Sequence, residues 1–86
     1  IALGQGRIVN WPAFPGVYEY DVFVTASSDH AGPFIRLGFV LSPSLIFTDD
    51  GFWVQHPGTY YYSVVPLNAA GCSIATPLWS GPVSMP

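Results

Sequence analysis

The chain has 86 residues, of which 50% are hydrophobic and only 8% charged, with a formal net charge of −3 at pH 7. That length accommodates one domain, 1–86, and no second core. Arg7 and Arg36 are the only fixed cations, which excludes the basic patches that hold nucleic acid or anionic membranes, and no apolar stretch nears the ~20 residues of a membrane-spanning helix.

No window places apolar residues at i, i+3, i+4 and i+7 without Pro or Gly intervening, so no helix is expected. Strand signals follow one another instead, with turn residues about every ten positions, the spacing of a sandwich or barrel. The first clear strand is Arg7 to Trp11, and Pro12, Pro15 and Gly16 form the loop after it. Val17 to Thr25 is a long strand with Tyr20, Val22 and Val24 on one face and Asp21 and Phe23 on the other. A polar turn over Ser27–Gly32 leads to a strand from Phe34 to Leu41, which Ser42-Pro43-Ser44 ends. Leu45 to Thr48 is short and closes on Asp49-Asp50-Gly51, and Phe52 to Gln55 reads as an apolar loop or short strand.

The run Pro57-Gly58-Thr59-Tyr60-Tyr61-Tyr62-Ser63-Val64-Val65-Pro66-Leu67-Asn68-Ala69-Ala70-Gly71 is the most informative. Pro-Gly reverses the chain, aromatic and β-branched residues then favour a strand, and a polar loop ends at Gly71. Tyr60, Tyr62, Val64 and Pro66 share one face; Tyr61, Ser63, Val65 and Leu67 share the other. Pro66 has no N–H, so its nitrogen should face an edge, a bulge or solvent. From Ser73 to Met85 the chain is broken by Pro77 and Gly81-Pro82, the pattern of an edge strand with a kink. The expected core is Ile8, Trp11, Tyr20, Val22, Val24, Ile35, Leu37, Leu45, Phe47, Tyr60, Tyr62 and Val64.

Taken in order, Trp11, Gly16-Val17 with Tyr20-Asp21-Val22-Phe23-Val24, Gly32-Pro33-Phe34, Phe47-Thr48-Asp49-Asp50-Gly51, Pro57-Gly58-Thr59 before Tyr60, Asn68-Ala69-Ala70-Gly71 and Pro82-Val83-Ser84-Met85 resemble a fibronectin type III domain, most closely of the bacterial type. The resemblance covers nearly the whole chain. It implies an all-β, immunoglobulin-like antiparallel β-sandwich with Greek-key connections, and a tyrosine corner in which the Tyr60 hydroxyl bonds the turn before it. Three departures bear on function. The first strand is short, with Ile1-Ala2-Leu3 ahead of Gly4-Gln5-Gly6, which leaves a sheet edge that another chain can fill. The stretch from Gly51 to Pro57 is long and carries Phe52, Trp53 and Val54. Thr76 to Gly81, with Leu78 and Trp79, looks like an insertion. Phe52, Trp53, Leu78 and Trp79 are the candidate interaction residues: either they fold back as a lid on a small core, or they meet a neighbouring subunit, domain or sugar ring.

No constellation for chemistry accompanies them. His30 and His56 lie in loops without a Ser-His-Asp arrangement. Glu19 and Asp21 share a strand face that reads as solvated, and Asp49-Asp50 reads as a turn with Asx-type bonding. Cys72 is the single cysteine, so neither an internal disulfide nor a Cys cluster for zinc exists. Neither a catalytic residue nor a cofactor or metal site is expected. An ordinary domain carries roughly 25% charged residues, so the composition fits either a secreted domain with a Ser/Thr surface or one whose faces are covered in an assembly. No signal peptide is visible, and a start at Ile1 fits a removed leader or a piece of a longer protein. The expected role is a non-enzymatic extracellular or cell-surface structural module, self-assembling with copies of itself or with neighbouring domains in a filament, appendage or virion. The alternative is a spacer or polysaccharide-binding accessory module of a secreted polysaccharide-degrading enzyme.

Overall fold

The computed structural model describes the backbone of residues 2–4, 8–49 and 51–85, and the side chains of these residues other than 2–4, 53 and 54. Arg7 and Asp50 therefore lie outside the described residues. In chain order the elements are β1 (Ala2–Gly4), β2 (Ile8–Asn10), β3 (Glu19–Thr25), β4 (Ile35–Leu41), β5 (Ile46–Thr48), α1 (Gly51–Gln55), β6 (Gly58–Leu67), β7 (Leu78–Trp79) and β8 (Val83–Met85). One sheet has the order β1-β2-β5; the other runs β4-β3-β6-β7, with β8 also on β6. Every pairing is antiparallel. The chain crosses between the sheets after β2, after β4 and after β5, so the fold is all-β, two packed antiparallel sheets.

The core between the sheets is Val9, Trp11, Tyr20, Val22, Val24, Phe52, Tyr62, Val64, Val83 and Met85, with Leu37, Leu45, Phe47, Tyr60 and Leu78 among those packed against it. Tyr20, Val22 and Val24 face Pro66, Val64 and Tyr62 across the β3–β6 ladder, so the period-2 alternation of both strands serves one interior. Trp11 lies against Tyr20, ring centroids 5.3 Å apart.

Two expected core positions differ. Val9, not Ile8, is buried, because Val9 shares its parity with Trp11 and a strand turns every second side chain inward. Ile35 stays 48% exposed although it pairs with inward-facing Val24; it is the first residue of β4, at the end of the ladder. Farther along, the β3–β4 register shifts between Val22 and Phe23, whose partners are Gly38 and Arg36; Leu37 is the extra residue of this bulge and packs against the core. A Cβ on Gly38 would come within 3.0 Å of the Phe47 ring, so the absence of a side chain there lets β5 close onto β4.

Residues 51–55 form one helical turn rather than the expected loop or strand, with the His56 N–H donating to the Phe52 carbonyl at 3.1 Å. Five residues are too few to display a 3.6-residue period. The turn drops Phe52 into the core, edge-on to Tyr60 at 4.9 Å and stacked on His56 at 3.9 Å.

The expected kinked edge strand is present as separate contacts along one side of β6. Ser73 bridges Leu67, β7 pairs with Ser63 and Val64, and β8 pairs with Gly58, Thr59 and Tyr60. The Pro66 carbonyl accepts from Ile74 N–H on that side, so the proline nitrogen also faces the interrupted edge and β3 loses no bond to it. Where β7 leaves the ladder, the buried Ser80 substitutes for a strand. Its hydroxyl oxygen accepts from Tyr62 N–H at 2.9 Å, its own N–H donates to the Tyr62 carbonyl at 2.9 Å, and its hydroxyl donates to the Gly81 carbonyl at 2.8 Å. Ser80→Ala is expected to cost about 1–3 kcal/mol, because it strands a buried amide; a urea melt would measure the loss. Beyond β6, Asn68 ties the loop: its side-chain oxygen accepts from Ala70 and Cys72 N–H, each at 3.0 Å. Gly71 closes that loop at φ +82°, where a side chain would be strained.

Two residues beyond Tyr60, a second tyrosine makes a hydroxyl tie to the interior. Tyr62, fully buried, donates to the carboxylate of buried Asp49 at 2.7 Å. Asp49, read from sequence as a turn residue, is thus an interior partner. Burial first, and the neighbouring carboxylate second, hold the Tyr62 phenol far above its ordinary pKa.

Candidate surface cleft

The register of the larger sheet determines what its outer face presents. Side chains on β3 alternate, so with Tyr20, Val22 and Val24 inward, Glu19, Asp21 and Phe23 point away from the core. Three rungs cross that face: Leu41–Glu19–Leu67, Phe39–Asp21–Val65, and Arg36–Phe23–Ser63–Trp79. A solvated antiparallel sheet ordinarily alternates apolar-in and polar-out. Here β4 and β6 are apolar on the outside as well, and Phe39 and Leu41 are 50% and 48% exposed.

Charge on this face is concentrated on one triad. The Arg36 guanidinium reaches Asp21 at 3.2 and 3.4 Å and Glu19 at 3.8 Å, and lies over the Phe39 ring at 5.4 Å. A hydrogen bond shared with Asp21, then partial desolvation and the like charge, raise the Glu19 carboxyl above its usual range, with Arg36 opposing. Exposed pairs of this kind contribute little stability; what they do here is occupy the strand centre between two apolar flanks.

On the β6–β7 side of the face, Phe23, Phe34, Ser63, Val65, Pro77 and Trp79 line an open cleft of about 240 Å³ whose walls are almost wholly apolar. The Trp79 ring forms one wall and is held by neighbours. His30 stacks on it at 3.8 Å with 6° between planes, and Phe34 tilts against it at 6.0 Å. His30 also meets Tyr61 edge-on at 5.5 Å. The loop sets His30 at φ +61°, a left-handed conformation in which His is over-represented among non-glycine residues. Asp29 fastens it, accepting from Ala31 N–H at 3.0 Å and from the Ser27 hydroxyl. The Ser27 bond first, and the Ala31 amide second, pull the Asp29 carboxyl below its usual pKa.

The four candidate residues separate. Trp79, opposite Ser63, lies on the outer face and lines the cleft. Leu78, opposite inward-facing Val64, packs against the core. Phe52 is 8% exposed and is itself a core residue, so neither it nor Leu78 belongs to the cleft. Trp53 lies in α1, and its side chain is outside the described ones. Phe23, Phe34, Val65 and Pro77 line the cleft, and His30 stacks on its Trp79 wall, in addition to the candidates that the sequence offers. The available signal was the odd face of Tyr60–Leu67 together with Phe23: strands that remain apolar on the face turned from the core.

Among the described residues no three of His, Cys, Asp and Glu converge as metal ligands, and no helix is long and apolar enough to cross a membrane. The cleft therefore offers contact surface and ring stacking. Compared with known proteins, the chain matches no family model, no curated protein and no solved structure.

Proposed function

We propose that this chain is an immunoglobulin-like sandwich of the fibronectin type III kind, acting as a non-enzymatic extracellular or cell-surface module. It packs against copies of itself or neighbouring domains, as in a filament, appendage or virion. The fold assignment is supported by the non-sequential pairings β2–β5 and β3–β6, which Greek-key connections produce. The observation that carries the functional reading is the outer face of the larger sheet. Apolar side chains on both flanks of the Arg36–Asp21–Glu19 triad, Phe39 and Leu41 on β4 and the Trp79 cleft across β6 and β7, support a contact that is completed by another molecule. Placement outside the cell rests on composition, with 8% charged residues.

A polysaccharide-binding role would set polar groups beside the stacking ring, since sugar hydroxyls need partners. The walls Phe23, Phe34, Val65 and Pro77 offer none, and Ser63 is buried. This favours an apolar protein side chain as the guest. Light scattering over a concentration series is expected to show species larger than one chain, and Trp79→Ala to shift them toward monomer while the circular dichroism spectrum is kept. A wild-type monomer at every concentration would sink the assembly reading and make retention on insoluble chitin or cellulose the next measurement.

A further inference from the structure

We infer that the cleft at Trp79 receives the exposed Pro12–Pro15 loop of a second copy of this chain, so that copies join head to tail. This rests on the assembly reading above and names its contact. The loop between β2 and β3 reads Trp11-Pro12-Ala13-Phe14-Pro15-Gly16-Val17 and carries no charge. Its base is anchored: Trp11 is buried, with its N–H donating to the Leu45 carbonyl at 3.3 Å, and the half-buried Phe14 donates its N–H to the Tyr20 hydroxyl oxygen at 3.1 Å. Pro12, Ala13 and Pro15 are left exposed. Trp11 and Phe14 each precede a proline, which biases both toward extended backbone. The result is two proline rings, three positions apart, presented on a fastened base.

Such a segment suits this cleft. Aromatic-lined apolar grooves take proline rings because the ring fills apolar space and the stiff backbone has little conformational entropy to lose. The cleft supplies the Trp79, Phe34 and Phe23 rings with Pro77 beside them. Neither surface has a charge to bury, so closing them together carries no ionic desolvation cost. The loop does not fill the cleft of its own chain, since none of residues 12–16 lines it. It enters β3 at Glu19 and is fastened on the core side by Trp11 and Phe14, and the cleft wall at Phe34 lies beyond the other end of β3, roughly 20 Å along the strand. The contact is therefore intermolecular and heterologous, and a heterologous contact that does not close into a ring propagates.

A complementation experiment tests this. Pro12→Ser/Pro15→Ser removes the loop's rings and leaves the cleft; Phe34→Ser, at a residue 48% exposed, spoils the cleft and leaves the loop. Each variant alone is expected to scatter as a single chain. Mixed in equal amounts they should form a complex of two chains and no larger species, because only one intact loop and one intact cleft are present per pair. If Phe34→Ser fails to fold by circular dichroism, Trp79→Ala takes its place. A loop variant that assembles like wild type would overturn the inference while leaving the assembly reading intact. Two monomeric variants that give no complex on mixing would overturn head-to-tail joining in favour of a symmetric contact. A wild-type chain that never assembles would overturn both.

Discussion

Trp11→Ala is expected to cost about 3–5 kcal/mol, the range for emptying a large aromatic site in a core, and to leave much of the chain unfolded at 37 °C. The reason is the ratio of that loss to the total. A domain of this length has roughly 4–13 kcal/mol of net stability, and small domains lie toward the low end because they bury less of their surface. Trp11 is 4% exposed and packs on Tyr20, which sits in the β3–β6 ladder, so the cavity would open beside the centre of the core. The indole contributes here as volume: its Nε1 is buried without a protein partner among the described residues. Trp11→Phe therefore removes no hydrogen bond to a described residue and is expected to be much milder than alanine. Thermal unfolding of wild type and the two variants orders them. Equal losses for Phe and Ala would mean that the indole nitrogen holds a buried water of structural weight.

Tyr62→Phe is expected to cost about 1.5–3 kcal/mol at neutral pH, the range for a hydrogen bond to a charged group, and to abolish a specific alkaline instability. In the folded chain the Tyr62 phenol is held far above its ordinary value, whereas in the unfolded chain it ionises near pH 10. A group whose folded pKa is raised contributes its full stability below the unfolded pKa and loses it as pH rises toward the folded one. Wild-type stability should thus fall progressively above about pH 10, and Tyr62→Phe should fall less over the same window. Ultraviolet absorbance at 295 nm should also show the Tyr62 contribution, taken as the difference between wild type and Tyr62→Phe, appearing only as the chain unfolds. A variant with an unchanged alkaline slope would show that Tyr62 is not the group responsible.

The strands that build this interior were legible because each spans enough residues for alternation to be counted. Val22, Val24, Tyr62 and Val64 are inside because two long strands run side by side with their apolar faces in phase. Shorter features escaped for physical reasons. A single helical turn has no period, so α1 and the burial of Phe52 were hidden. Ile35 has core parity, opposite inward-facing Val24, yet it is the first residue of β4 and half exposed; alternation gives the face of a residue and not how far the interior extends along a strand.

Of the four candidate residues, Trp79 lines the cleft, Leu78 and Phe52 belong to the core side, and the Trp53 side chain is outside the described ones. Leu78 and Trp79 are adjacent, and only the register against Ser63 and Val64 decides which turns outward; a slip of one position would exchange them. Asp49 has the local signature of a turn residue, and its tie to Tyr62 spans 13 positions, which local spacing does not encode. The cleft's other walls come from β3, from the loop ahead of β4 and from the segment before β7, so their meeting is a property of the folded chain.

Trp79 is mounted on the least secured part of the sheet. β7 is two residues long, with prolines at 77 and 82 interrupting the edge on either side of it, while the facing wall at Phe23 belongs to the seven-residue β3 in the middle of the sheet. Structural elements with few backbone bonds open well below the free energy of global unfolding. Of the two walls, Phe23 belongs to the centre of the sheet and Trp79 to its edge, where the His30 stack adds to two backbone pairs, so local opening is expected first on the Trp79 side. Because Leu78 beside it packs against the core, a displacement of Trp79 would be felt in the interior as well as in the cleft.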